Sequence, residues 1–316
     1  MKILVVGFYN KGNFGDNLMR QALASAFSSR GVEPTFVDKI SSEDLVGVDG
    51  VAFGGGSILG DDPVIDERAA RALCDRVVPV FYVGVGAETS VSALHNKLLR
   101  VARVVAYRER DIADLAFLLP YERQHVDAIR DVLFVPNIEV VPTWADPHWK
   151  HASWDRFKDE TAQALDSLLD SGLSITFLSL CSNSMMDDTW VANEITSRMK
   201  RRQKLVNVEH ANKFEDARRV FDFSRVVVTQ RYHGIIASEA VGTRYVSIDH
   251  HDKLKNATPR RGTHVSYYQV TKDMLLRAVN EALVSGKLEP HVVSHDKYDA
   301  TFEEIVRCLF ADKSVS

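Results

Sequence analysis

The stretch Val226–Asp249, reading VVVTQRYHGIIASEAVGTRYVSID, restricts what this chain can fold into more than any other. Val226, Val227 and Val228 are successive β-branched residues, as in a strand buried within a parallel sheet, and Arg244–Ile248 describes a second such strand. Between them Ile235, Ile236, Ala237, Ala240 and Val241 supply the apolar side of a short helix, with Gly242 placed to close it. Gln230, Arg231, Tyr232 and His233 then occupy the turn from a strand's carboxyl end to a helix's amino end, where open α/β sheets bind ligands. Helical N–H groups, a permanent guanidinium and an imidazole that titrates near neutrality make this an anion site by geometry. The alternative is structural: Arg231 pairs with a carboxylate and His233 caps the helix.

The same alternation runs along the chain. Lys2–Val6, Pro34–Val37, Val48–Leu59, Val78–Val85 and Val104–Tyr107 read as strands, with helices expected near 17–30, 90–101 and 111–119. Pro142, Pro147 and the tryptophans Trp144, Trp149 and Trp154 stand among polar residues, so a domain boundary is placed within Asn137–Trp154. Alternation then restarts with a helix near 154–169, a strand Leu173–Leu180, a helix near 189–202, a strand Lys204–Val208 and a helix near 213–223. Amphipathic helices close the chain at 270–283 and 298–310. A chain of 316 residues exceeds a usual domain. Two α/β domains are expected, 1–145 and 150–290, with 291–316 packing back on the first.

Several turns carry candidate chemistry. Gly7–Asp16 holds three glycines ahead of a helix, but at 7, 12 and 15 they fit neither a dinucleotide fingerprint nor a P-loop. Asn13 and Asp16 lie there, and Asp16 serves equally well as a helix cap. Gly54-Gly55-Gly56 removes every side chain from a strand's carboxyl end, so a ligand or a facing backbone can come close. Asp61 and Asp62 follow as a conceivable metal pair, although aspartates ahead of Pro63 suit a solvated loop. Arg108 ends another strand, beside acids at 109 and 111 that offer it a structural partner. Lys200-Arg201-Arg202 with Lys204 suits the C-terminus of a helix dipole. His250-His251 is weak as a metal site because adjacent residues diverge on an extended chain, whereas Lys253 adds a cation near the cleft.

Composition closes several functional classes. A net charge of −4 gives no general attraction to nucleic acid or to an anionic membrane. Cys74, Cys181 and Cys308 are odd in number and far apart, which fits neither a disulfide framework nor paired zinc ligands, and points to a reducing compartment. MKILVVG leads directly into a glycine loop and reads as a first strand, not a signal peptide; no run approaches the roughly 20 apolar residues of a membrane span. A cytoplasmic protein is expected.

Taken together these segments resemble the polysaccharide pyruvyl transferase family. Its Asn-x-Gly-Asp element is similar to Asn13-Phe14-Gly15-Asp16 with Leu18, and its glycine run to Gly54-Gly55-Gly56-Ser57-Ile58-Leu59. Its arginine-acid element is similar to Arg108-Glu109, its Arg-Leu-His element to Arg231-Tyr232-His233 with Ala237 and Gly242, and its following strand and lysine to Val246–Asp249 and Lys253. Tyr232 replaces the usual leucine, and residues 121–171 match no element of the family.

The resemblance implies two Rossmann-like, doubly wound α/β domains facing each other across a cleft, similar to GT-B glycosyltransferases. It implies phosphoenolpyruvate as donor, a carbohydrate acceptor, free or lipid-linked, and a pyruvate ketal as product, with no metal and no cofactor beyond the donor itself. His233, Arg231 and Asp16 would be catalytic: His233 protonates the donor methylene, Arg231 holds the departing phosphate and Asp16 orients or deprotonates an acceptor hydroxyl. Asn13, Gly15, Gly54, Gly55, Gly56, Arg108 and Lys253 would bind substrate. A homo-oligomer is compatible with the sequence. Two other readings stay open, a nucleotide-sugar glycosyltransferase on the same plan and a non-catalytic carbohydrate-binding protein.

Overall fold

The computed structural model describes residues 1–9, 11–60, 64–75, 78–86, 91–108, 110–119, 129–182, 187–201, 207–210, 214–255, 257 and 261–313. Asp61, Asp62, Glu109, Arg202 and Lys204 lie outside that set, and with them the aspartate pair and parts of the basic run considered above. The chain divides into two compact units, Met1–Pro120 with Val293–Ser316, and Tyr121–Val292.

In the first unit β1 (Lys2–Val6), α1 (Phe14–Ser28), β2 (Glu33–Val37), β3 (Gly50–Gly56), α2 (Glu67–Cys74), β4 (Val80–Val85), α3 (Ala93–Val101) and β5 (Val104–Tyr107) alternate. The sheet is parallel, in the order β2-β1-β3-β4-β5. Every residue of β3 and β4 is buried, which is why these strands read as continuous apolar or glycine runs without alternation. The order reverses between β1 and β3, so the crevice of this doubly wound sheet lies at the loop after β1 and the glycines that end β3.

Residues 111–119 do not form the expected helix. A 3₁₀ turn covers only Leu115–Leu118, capped by Asp114, whose side chain accepts from the Ala116 N–H. The apolar residues there run consecutively instead of at helical spacing, and Pro120 disfavours the helical conformation of the residue before it.

The second unit contains β6 (Arg130–Val135), α4 (His148–Asp170), β7 (Ile175–Ser179), α5 (Asp188–Arg198), β8 (Asn207–His210), α6 (Phe214–Asp222), β9 (Ser224–Thr229), α7 (Tyr232–Val241), β10 (Arg244–Asp249), α8 (Asp252–Lys255), β11 (Thr263–Ser266) and α9 (Lys272–Val284). Its six parallel strands run β11-β10-β9-β6-β7-β8. Numbered within the unit this is sixth, fifth, fourth, first, second, third, the Rossmann order, with its reversal between β6 and β9.

The boundary placed within Asn137–Trp154 is therefore corrected to the region of Pro120 and Tyr121. Val132-Leu133-Phe134-Val135 is wholly buried and forms the centre of the second sheet, pairing with β7 on one side and β9 on the other. The stretch rich in proline and tryptophan is the connection from β6 into α4, and Trp154 packs in the core of this unit. After α9 the chain returns to the first unit as α10 (Asp296–Lys313). There the Phe302 ring meets Phe27 edge-on at 5.2 Å, and the Tyr298 hydroxyl donates to the Asp114 carbonyl at 3.0 Å. No described helix is long and apolar enough to cross a membrane.

Candidate functional site

Strands β6, β9, β7 and β10 of the second unit all point their carboxyl ends to one edge, and the polar residues of that edge form one network. Past β9, the Arg231 N–H donates to Thr229 Oγ1 at 3.0 Å, and that hydroxyl donates in turn to the Arg231 carbonyl at 3.1 Å. A β-carbon on Gly234 would stand 2.1 Å from the same Thr229 oxygen, so only glycine lets α7 begin this close to the strand end. Arg231 is the N-cap position of α7, His233 lies in its first turn, and Gly242 closes the helix in the left-handed conformation, φ 74°.

The Arg231 side chain is almost wholly buried, and its fork is occupied. Nε donates to Asp188 Oδ2 at 3.0 Å and Nη2 to Asp188 Oδ1 at 2.5 Å. Asp188, fully buried in the first turn of α5, also accepts from the backbone N–H of Ile138 at 2.9 Å and of Cys181 at 3.0 Å, so each carboxylate oxygen takes two donors. Burial pushes the Asp188 carboxyl upward, opposed by Arg231 and these backbone donors. With every acceptor position satisfied, the pair is a charge-assisted clamp.

The third guanidinium nitrogen, Nη1, lies 3.8 Å from Glu139 Oε1. Two more basic side chains approach Glu139 Oε2, His250 Nε2 at 3.9 Å and Lys253 Nζ at 3.8 Å, and Asn137 Nδ2 donates to it at 3.2 Å. His250, then Lys253 and Arg231, hold the Glu139 carboxyl far below its usual range against the opposing effect of burial. At the β6/β9 reversal, Gln230 Oε1 accepts from the Asn137 N–H at 3.2 Å. Among the described residues, Gln230 Nε2 and His250 Nδ1 are buried with no hydrogen-bond partner. Buried polar atoms without partners are uncommon, and two beside a switch point suit an incoming polar ligand.

In the first unit Asn13 is the N-cap of α1, its side chain accepting from the Gly15 N–H at 3.0 Å, so the cap considered for Asp16 belongs to Asn13. Asp16 lies in the first turn. The open glycine edge is largely filled by α1: β-carbons on Gly54 and Gly55 would lie 2.7 Å from Leu23 Cδ1 and 2.8 Å from Met19 Cβ. Gly55 and Gly56 also adopt φ 72° and 81°, which side chains resist, so close helix packing accounts for two of the three glycines. Beyond Gly56 the edge is polar. Its β-carbon would stand 3.3 Å from Met19 Cε and 3.5 Å from Asp16 Oδ1, and one on Gly86 would stand 3.3 Å from Arg108 Nη2 and 3.6 Å from Ser57 Oγ. Arg108, 7% exposed, pairs with Asp114 at 3.3 Å.

Arg231, His233 and Lys253 thus share one sheet edge, and Asn13, Gly15, Asp16, Gly54, Gly55, Gly56 and Arg108 another. Sequence reasoning passed over Asp188, Glu139 and Asn137, and considered His250 only as a weak metal ligand beside His251. Reading Val132–Val135 as a strand would have placed Asn137 and Glu139 at its carboxyl end. Asp188 carries no local signal, since its partner is 43 residues away.

By sequence, no curated protein matches the chain. UDP-GlcNAc 2-epimerase from Methanocaldococcus jannaschii, solved with UDP-GlcNAc and UDP, aligns with a TM-score of 0.60 at 12% identity, over 98% of this chain and 100% of that one. MurG from Acinetobacter baumannii aligns at 0.53 with 11% identity, over 98% and 99%. At such identities the likeness concerns the fold alone, two Rossmann-like α/β sheets of the GT-B type. The family model for polysaccharide pyruvyl transferase matches residues 13–252, which takes in the α1 cap, the glycine edge, Arg108, the Arg231–Asp188 clamp and Glu139. Since that match covers most of its length, the chain belongs to the polysaccharide pyruvyl transferase family.

Proposed function

We propose that the protein transfers the pyruvyl group of phosphoenolpyruvate to two hydroxyls of a sugar, forming a ketal and releasing inorganic phosphate. The observation that carries this reading is the convergence of Arg231, His250 and Lys253 on one partly exposed carboxylate at the β6/β9 reversal. A donor with a phosphate and a carboxylate needs several positive groups at one crevice.

In the chemistry proposed, His233 gives a proton to the donor's methylene carbon, leaving positive charge at the carbon that bears the phosphate. One sugar hydroxyl adds to that carbon, its bond to the phosphate oxygen breaks, and the second hydroxyl closes the ketal. Of the two hydroxyl protons, one restores the acid and the other leaves with phosphate. Arg231, held rigid by Asp188, offers Nη1 to the anion, and Asp16 is proposed to orient or deprotonate an acceptor hydroxyl. The scheme uses no cofactor. It carries with it a cytoplasmic location, in keeping with an odd number of widely spaced cysteines.

The reading is tested by incubating the protein with phosphoenolpyruvate and saccharides, following phosphate release and the ketal methyl signal by NMR. Phosphate release dependent on the saccharide is expected. Release of a nucleoside diphosphate from a nucleotide sugar, with phosphoenolpyruvate untouched, overturns it.

A further inference from the structure

A transferase has a second substrate, and the second unit carries an aromatic surface that the anion network does not use. Six rings touch in an unbroken series. Trp190 stacks on Trp154 (6.1 Å between centroids, 19° between planes), and Trp154 stacks on Phe157 (5.8 Å, 21°). Phe157 meets Tyr267 (4.9 Å), Tyr267 meets Tyr268 (5.1 Å), and Tyr268 meets Trp149 (5.8 Å). The inner members Trp154, Phe157 and Tyr267 are buried, whereas Trp149, Trp190 and Tyr268 are 54%, 44% and 43% exposed. The exposed rings are therefore mounted on a rigid buried base. Trp149 and Tyr268 touch and both stay open to water, and a contiguous exposed aromatic face is a recurrent mark of a binding surface.

Three features indicate what covers it. The first is position: Trp190 is two residues beyond Asp188, which clamps Arg231, and Tyr267–Tyr268 directly follows β11 at the same carboxyl edge. An acceptor has to reach the carbon of a donor bound at that edge, so its own surface must adjoin it. The second is chemistry. A pyranose presents a flat C–H face bordered by hydroxyls, and flat rings set among hydrogen-bonding groups match both. Around these rings Arg156 donates to the Tyr268 carbonyl, Lys150 pairs with Asp146 at 2.5 Å, and Lys158 lies 5.0 Å over the Trp154 ring while pairing with Asp155 and Glu194 at 3.1 Å. The third is the polar rim, too charged for the apolar core of a permanent subunit interface.

We propose that Trp149, Trp190 and Tyr268 form the acceptor-binding surface of this protein, taking successive sugar rings of a saccharide chain by stacking. The proposal rests on the transferase reading for its biological meaning, but its test does not require turnover. Tryptophan fluorescence and isothermal calorimetry would follow binding of three neutral tetrasaccharides, gluco-, galacto- and manno-configured, to the full chain. The parent is expected to bind at least one of them. Trp149→Ala and Trp190→Ala should each weaken that binding by roughly tenfold, with inorganic phosphate binding unchanged and unaltered unfolding curves. Tyr268→Phe, which keeps the ring, should bind like the parent, and Tyr268→Ala should not.

Failure of the parent to bind any tetrasaccharide overturns the proposal, as does equal binding by the alanine variants. A shift from dimer to monomer in sedimentation velocity with saccharide binding intact overturns it too, and makes the surface a contact between copies of the chain. Saccharide binding without phosphate release from phosphoenolpyruvate would sink the transferase reading and leave this surface standing.

Discussion

Arg231 and Asp188 are 43 residues apart in sequence and meet through two parallel hydrogen bonds, Nε to Oδ2 at 3.0 Å and Nη2 to Oδ1 at 2.5 Å. The motif arginine thus has both a structural partner and one nitrogen, Nη1, turned towards Glu139. Of the two alternatives that the sequence left open for this residue, the structure shows the pairing with a carboxylate.

Arg231→Lys keeps the charge and loses the planar fork, so one ammonium cannot satisfy both Asp188 oxygens. Donor binding and thermal stability should fall together; removing one partner of a buried pair outright costs about 3–5 kcal/mol, and the lysine variant should lose less. Calorimetric titration with phosphoenolpyruvate and thermal unfolding check this. Parent-like values in both would show that the fork is dispensable.

His233→Ala should lower turnover by about 10²–10⁴-fold, the usual contribution of a general acid, with a smaller loss of donor affinity. His233→Gln retains a hydrogen-bond donor and delivers no proton. Turnover of the glutamine variant near that of the parent would assign His233 to anion positioning only.

Glu139 sits where three basic groups would meet a ligand anion, and its side chain is 36% exposed. Glu139→Gln removes the internal counter-charge. Affinity for inorganic phosphate should rise by roughly three- to tenfold at low salt, and the gain should shrink as salt screens the pocket. Weaker phosphate binding in this variant would instead make Glu139 an organiser of the cations.

His95 is fully buried, with Nδ1 2.9 Å from the Tyr82 hydroxyl, and burial lowers its pKa from 6.5 to about 4. The unfolded chain takes up this proton near pH 6.5 and the folded chain only near pH 4, so acidification through that interval favours unfolding. The loss should be on the order of 3 kcal/mol across the window. Urea unfolding at stepped pH measures it, and His95→Gln, which can still accept from Tyr82, should flatten the dependence. An unchanged slope would place the titration elsewhere.

Gly234→Ala would set a β-carbon 2.1 Å from Thr229 Oγ1, forcing apart the residues that hold the Arg231 backbone. Overpacking of this kind costs about 1–3 kcal/mol. Thr229→Ala in the same chain removes the clashing hydroxyl and should restore part of the stability, as read by urea unfolding. No rescue in the double variant would locate the strain in α7 itself.

Local pattern determined a large part of this protein. Apolar runs such as Val226–Val228 and Val80–Val85 became buried parallel strands because only continuous apolar sequence is compatible with burial on both faces. Gly242 closed α7 as expected, since a left-handed residue is a common helix stop and glycine adopts it without steric cost. The Arg231 turn fell at a strand's carboxyl end for the same local reasons.

Tertiary structure decided which side chains meet at those ends. β6 was hidden because its four apolar residues follow a region with no periodic signal, and its partner β9 lies some 90 residues further along the chain. Once the sheet places β6 beside β9, with β10 on the far side of β9, Asn137 reaches His250 across 113 residues and Glu139 meets Arg231 and Lys253. The glycines of β3 likewise gained their meaning from Met19 and Leu23 of α1, not from the strand. Strand and helix identity is encoded in spacing along the chain, whereas the pairing of charges at a sheet edge depends on strand order, which long-range burial sets and no local spacing records.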